Sequence, residues 1–284
     1  MSSALDRLIP LLALEQIEVN LFLGRSPPEP RGRIFGGQVV AQALTAAYRT
    51  VQERICHSLQ SYFIRPGDPT IPVLYQVEHS RDGKSFTTRR VIAIQRGEQI
   101  FNMACSFQVP EDGVEHQNDM PDAPGPDTLK DDREHWLEDF KDLPEWQKRG
   151  DWDRPIDLRP VNPVSLRKPE LAPPHHMVWM RAAGALPADD MQLHQSLLAF
   201  ASDYSLLGTS LRPHGKNWMT QVQTASLDHI MWFHRPTDFS RWHLYVMDSP
   251  SASGARGFNR GSIYRDDGVL VASAAQEGLI RPRP

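Results

Sequence analysis

The chain repeats itself at a spacing of 170 residues. With no gap, Phe63, Arg65, Pro66 and Asp68 match Phe233, Arg235, Pro236 and Asp238. Leu74–Tyr75 match Leu244–Tyr245, Arg90 matches Arg260, and Ala104 matches Ala274. These are 8 identities over the 46 positions from 63 to 108, where roughly three are expected by chance for an ordinary composition. A period this long in a chain of 284 residues means two domain-sized copies rather than a stack of short repeats. Whatever the fold is, it must be one that can be built twice.

The order of predicted elements repeats as well. In the first copy Ile17–Leu23 reads as a strand, and FGGQVVAQALTAAYRT (35–50) predicts a helix whose small residues permit close packing. Four strand-like runs follow at Ser58–Ile64, Val73–Ser80, Ser85–Gln95 and Gln99–Gln108, with turn chemistry at Asp82-Gly83 and Arg96-Gly97. In the second copy Met177–Ala182 is strand-like. A helix is expected from about Ala188 to Leu207, with Pro187 ahead of it, acids Asp189 and Asp190 in its first turn, and Gly208 to stop it. Strand-like runs then follow at Ser226–Phe233, Trp242–Asp248, Ala255–Tyr264 and Val269–Leu279. One long helix wrapped by a curved antiparallel sheet is a hotdog arrangement. Two in tandem make an α+β double hotdog, and the strand–helix alternation of a parallel α/β fold is absent.

Between the copies the composition changes. From Glu111 to Asp153 there are 15 acidic and 5 basic residues, and 110–174 holds 11 of the 24 prolines. The expected division is an N-terminal hotdog over 1–110, an acidic Pro-rich connector over 111–174 with a short helix in HWLEDFKDLPEWQ, and a C-terminal hotdog over 175–284. A formal net charge of −4 argues against a nucleic-acid partner, and no apolar run approaches the ~20 residues of a membrane span. The N-terminus lacks the basic-then-apolar pattern of a signal peptide, and Cys56 and Cys105 are the two cysteines. A cytoplasmic location is expected.

Standard catalytic signatures are missing. There is no GxSxG elbow, HExxH, paired CxxC or GxGxxG. His175 and His176 are adjacent and would point to opposite sides of a strand, so they make poor joint metal ligands, and neither metal nor cofactor is expected. On the residues alone Asp203 reads as an exposed helix acid, and Ser226 and Gln276 as ordinary strand residues.

Six blocks change that reading: FGGQVVAQAL (35–44), SYFIRPGD (61–68), RDGKSFTTRRV (81–91), LDHIMWFHRP (227–236), SASGARGF (251–258) and DGVLVASAAQEG (267–278). Together, and in this order, they resemble the type II acyl-CoA thioesterase family, whose fold is the double hotdog. The resemblance implies hydrolysis of fatty acyl-CoA to fatty acid and coenzyme A, with acyl-CoA as the partner and a homodimer or homotetramer as the assembly. It implies a catalytic trio of Asp203 in FASDYSLL, Ser226 two before the aspartate of the LDH block, and Gln276 before Glu-Gly in the last strand. Those types suit attack by water: a carboxylate to take the proton, and a hydroxyl and an amide to aim it. The positions 170 before Ser226 and Gln276 are Cys56 and Ser106, and Leu44 lies about where an Asp203 counterpart would fall, so the first copy is expected to lack a complete site. Arg89, Arg90, Arg256 and Arg260 are candidates for the phosphates of coenzyme A. Trp232 and Phe233 are expected in the core, Arg65-Pro66 and Arg235-Pro236 at equivalent turns, and Gly36-Gly37 where the first helix begins tightly.

Two other functions fit part of the sequence. A hotdog enoyl-CoA hydratase needs an Asp and a His about five apart near a helix start. Asp189/His194 has that spacing there, as does Asp238/His243 elsewhere, but the Asn-Pro of the hydratase motif is absent. A non-catalytic acyl-CoA binding or sensor protein is the second.

Overall fold

The computed structural model describes residues 3–27, 32–142, 154–219 and 221–283. Helix α1 (Ala4–Leu12) opens the chain. Its start is fixed locally, because Ser3 accepts from the Asp6 amide and the Asp6 carboxylate accepts from the Ser3 amide. Strands β1 (Glu15–Glu18) and β2 (Leu21–Gly24) form a hairpin, so the expected strand at Ile17–Leu23 is split by a turn. Helix α2 (Gly36–Tyr48) and strands β3 (Ile55–Phe63), β4 (Val73–Asp82), β5 (Phe86–Gln95) and β6 (Glu98–Gln108) complete the first half.

Helix α3 (Asp132–Asp139) covers the N-terminal part of HWLEDFKDLPEWQ, and the residues of that motif from 143 on lie outside the described ones. Strand β7 (Ile156–Pro160) falls within the expected connector over 111–174 and pairs with β8 (His175–Ala182). The second half continues with helix α4 (Met191–Ser202), a 3-10 segment (Leu207–His214), β9 (Val222–Ser226), β10 (Asp228–Phe233), β11 (His243–Ser253), β12 (Arg256–Arg265) and β13 (Leu270–Pro282).

Among the described residues all thirteen strands belong to one sheet. Its order is β1-β2-β4-β5-β6-β3-β10-β13-β12-β11-β8-β7, with β9 paired to β13 outside that path. With β1–β6 matched to β7, β8 and β10–β13, the order reads the same from either end. The fold is a double hotdog, and the halves join where β3 meets β10 antiparallel, Ser61 opposite His229 and Leu59 opposite Met231. The tandem turns repeat too: the Arg65 amide bonds the Ile100 carbonyl and the Arg235 amide that of Val271, which gives both Arg-Pro pairs a structural role.

The two long helices lie antiparallel inside the sheet. Gly37, at the start of α2, lies against Phe200 near the end of α4, while Tyr48, at the end of α2, hydrogen-bonds Gln195 near the start of α4. All of α2 except Gly36 is buried, which is why it carries no charged residue and shows small and apolar residues on every face rather than along one stripe. Phe233 joins the core as expected, whereas Trp232, 38% exposed, points out of it because alternate residues of β10 face opposite sides. Among the described residues no helix is long and apolar enough to cross a membrane.

Candidate active site

The expected helix from Ala188 to Leu207 is shorter at both ends. Asp190 caps its N-terminus through the Leu193 amide, and α4 ends at Ser202 with Asp203 as its C-cap. Two residues later Ser205 adopts φ +65°, a left-handed conformation that breaks the helix well before Gly208. An aspartate that would be awkward inside a helix therefore stands at its end, free to turn toward the start of α2.

There the Gly37 amide donates to Asp203 Oδ2 at 2.9 Å. A positive helix start facing a carboxylate is favourable on both hydrogen-bonding and dipole grounds. The approach needs the glycine pair. A Cβ on Gly36 would stand 2.7 Å from Asp203 Oδ2, and one on Gly37 would stand 2.3 Å from the Phe200 carbonyl oxygen.

The other two side chains come from the sheet. The hydroxyl of Ser226, the last residue of β9, donates to Asp203 Oδ1 at 3.4 Å. The Gln276 amide nitrogen in β13 donates to the same oxygen at 2.7 Å. Between β9 and β10 the chain bends at Leu227, whose amide reaches the Glu277 carbonyl and whose carbonyl accepts from Phe63. Asp228 locks that bend by accepting the Glu277 amide at 2.7 Å. Gly278 completes the locality, since a Cβ there would meet Leu207 at 2.4 Å. Ser226 and Gln276, from two separate strands, thus converge on the Asp203 carboxylate at the helix end. Asp203 and Ser226 are partly buried and Gln276 is fully buried.

Two groups not anticipated from the sequence sit directly behind Gln276. His229 is fully buried, with Nδ1 3.1 Å from the Gln276 amide nitrogen and Nε2 2.8 Å from the Ser202 hydroxyl. Burial pulls its basicity below that of an ordinary histidine, and the Asp203 charge opposes this. The available signal was the position of His229 in LDHIMWF: an alternating strand aims it inward together with Met231.

Among the described residues the first half carries no such carboxylate at the matching helix end. Counting from helix cap to helix cap, Phe35 to Asp190, sets Tyr48 rather than Leu44 opposite Asp203. The Tyr48 hydroxyl accepts the Cys56 amide at 2.9 Å and donates to Gln195, while Ser106 is bonded to His57. Burial raises the Tyr48 phenol, so this counterpart stays neutral. Cys56 and Cys105 are buried free thiols. Burial pushes Cys105 up to about 12 and Cys56 well above its usual value, the opposite of what a thiolate nucleophile needs.

The rival pairs are not assembled. His194 is buried with Nδ1 accepting the Phe239 amide and Nε2 donating to the Pro187 carbonyl, while Asp189 is exposed. Both ring nitrogens of His243 are engaged by Thr237 and the Arg241 carbonyl. The four arginines considered for phosphate all face carboxylates: Arg89 with Asp82, Arg90 with Glu78, Arg256 with Glu277 and Arg260 with Asp248.

Comparison with known proteins gives the chain a family. The family model described as acyl-CoA thioesterase matches residues 149–279, and the one described as acyl-CoA thioesterase N-terminal domain matches residues 25–108. The human protein named acyl-coenzyme A thioesterase 8 is 43% identical over 285 residues, covering 96% of this chain and 88% of its own. The chain belongs to the type II acyl-CoA thioesterase family. Acyl-CoA thioesterase 2 of Haemophilus influenzae is 40% identical over 287 residues and 99% of both chains. Among solved structures, the acyl-CoA thioesterase II TesB2 of Mycobacterium marinum superposes with a TM-score of 0.80 at 40% identity, covering 97% of this chain and 98% of that one. The thioesterase resemblance carried by the six sequence blocks therefore holds along both halves.

Proposed function

We propose that this thioesterase hydrolyses acyl-CoA to a carboxylic acid and coenzyme A by direct attack of water, with Asp203 as general base and Ser226 and Gln276 as the groups that aim the water. The observation carrying this reading is the convergence of Gln276 Nε2 and Ser226 Oγ on Asp203 Oδ1, with Gly37 N–H on Oδ2. Asp203 takes a proton from water as its oxygen bonds to the thioester carbon. The tetrahedral adduct then expels the thiolate, and the proton returns to sulfur. No acyl-enzyme forms, consistent with two cysteines held protonated by burial. Fixing the water and its base in place supplies a large part of such a barrier reduction.

The same reading divides the chain into an N-terminal hotdog (1–110), an acidic connector (111–174) and a C-terminal hotdog (175–284) that supplies all three side chains. The first half would complete the fold and, through Gly37, hold the base.

The test is thiol release from short-, medium- and long-chain acyl-CoA esters, with wild type and Asp203→Asn side by side. Wild type is expected to release thiol, and the variant to lose kcat on the order of 10²-fold or more while remaining folded. A folded Asp203→Asn variant with wild-type turnover would remove Asp203 from the mechanism. Binding of acyl-CoA with no thiol release by either protein would favour the sensor reading.

A further inference from the structure

We propose that His229 and Ser202 are positioning residues that fix which way the Gln276 amide faces. This rests on the reading of Gln276 as a group that aims the attacking water.

The chain of hydrogen bonds has one consistent direction. The Ser202 hydroxyl lies 2.9 Å from the Ala199 carbonyl oxygen and 3.1 Å from the Met231 sulfur, both of which can only accept. Its single proton is spent there, so its oxygen receives rather than gives the bond to His229 Nε2 at 2.8 Å. His229 therefore carries its proton on Nε2, and Nδ1 presents a lone pair. That lone pair faces Gln276, 3.1 Å away, and can be met only by an N–H. The amide nitrogen then has its two protons directed at two acceptors, His229 Nδ1 and Asp203 Oδ1. The carbonyl oxygen of Gln276 points elsewhere, buried and, among the described residues, without a hydrogen-bond partner.

The consequence is functional. An amide is nearly symmetric in shape, and its two ends differ only in whether they give or receive protons. Turned one way, Gln276 gives one proton to the carboxylate and one to the imidazole, and so holds the base steady for the attacking water. Turned the other way, it sets an oxygen against both the carboxylate and the imidazole lone pair, two acceptors that repel it. Asp203 already favours the first orientation. The imidazole lone pair adds a second vote, and the last turn of α4 enforces it through the Ala199 carbonyl. The helix that ends in the base thus also sets the orientation of its partner.

A double-mutant cycle tests this. His229→Leu keeps the approximate volume and removes the lone pair, His229→Asn keeps an acceptor on the Nδ1 side, and each is made with Gln276 intact and as Gln276→Ala. With Gln276 intact, His229→Leu is expected to lose kcat on the order of 10²-fold, the scale of a misaimed reacting group, with KM held within about twofold. His229→Asn should recover most of that loss. In the Gln276→Ala background neither substitution should cost anything further, because nothing is left to orient. Ring ¹⁵N shifts, assigned by the signal missing in His229→Asn, should show His229 protonated at Nε2 and bare at Nδ1. If His229→Leu fails to fold, Ser202→Ala takes its place in the cycle. Equal losses in both backgrounds, equal activity of the Leu and Asn variants, or a proton on Nδ1 would each overturn the proposal. If Gln276→Ala and Asp203→Asn themselves retain full kcat, the reading of the trio has failed instead.

Discussion

The amide nitrogen of Gln276 stands 2.7 Å from Oδ1 of Asp203, although the two residues are 73 apart in the chain and belong to a strand and a helix end. A neutral donor at that distance steadies an anion without adding a second charge. Gln276→Glu would replace it with a carboxylate facing a carboxylate. Two acids so close cannot both ionise easily, so one is held protonated to higher pH. The acid limb of the kcat–pH profile should move toward neutral pH, with a lower plateau. A profile that keeps its wild-type position would mean that the two groups do not interact during turnover.

The glycines near the site should separate by what their added methyl groups strike. In Gly37→Ala the new Cβ meets a backbone oxygen, Phe200 O, at 2.3 Å, so the two helices must part. A loss of about 1–3 kcal/mol or more is expected, read as a lower urea midpoint. In Gly278→Ala it meets the Leu207 side chain, which can turn away, and the loss should be smaller. In Gly36→Ala the obstacles are Asp203 Oδ2 and the Phe63 ring, so kcat should fall further than stability does. The reverse ranking of Gly37 and Gly278 would contradict the close helix contact.

Neither cysteine should matter to turnover. Both thiols are buried and held protonated, so Cys56→Ala and Cys105→Ala should each leave kcat within about twofold of wild type. Alkylating reagents should react with the folded protein slowly. Loss of activity in a folded alanine variant would reopen a covalent route.

Buried histidines should make the fold acid-sensitive. Burial lowers His243 to about 4, against an ordinary 6.5. Between those values the unfolded chain binds a proton that the folded chain refuses, so stability rises with pH through that window. The stabilisation is complete above pH 6.5 and is lost as pH falls toward 4, by on the order of 3 kcal/mol for this one group. His176, lowered to about 3 by burial and then by Arg212, adds in the same direction. Urea midpoints at pH 7 and pH 5 should differ accordingly, and His243→Asn should narrow the gap. A midpoint independent of pH across that range would show that His243 is not held neutral.

The repeat made the doubled architecture legible because strands and turns obey short-range rules, and both copies obey them in register. The boundaries of α4 were not legible. The end at Ser202 depends on a left-handed Ser205, a residue type with no strong preference for that conformation. The orientation network was hidden for a different reason. Ser202, His229 and Gln276 are far apart in sequence, and a buried polar group declares its purpose only when its partners are known. Trp232 shows the limit of composition: an indole suggests a core, and strand alternation put it outside.

The doubled fold, with different residues at its two matching helix ends, has a consequence for change over time. In an assembly of two identical chains, every substitution appears at both helix ends at once. Here the corresponding positions are separate codons in one message, and they hold Asp203 at one end and Tyr48 at the other. Joining the halves end to end lets the two helix ends change independently, so a substitution at one need not be matched at the other.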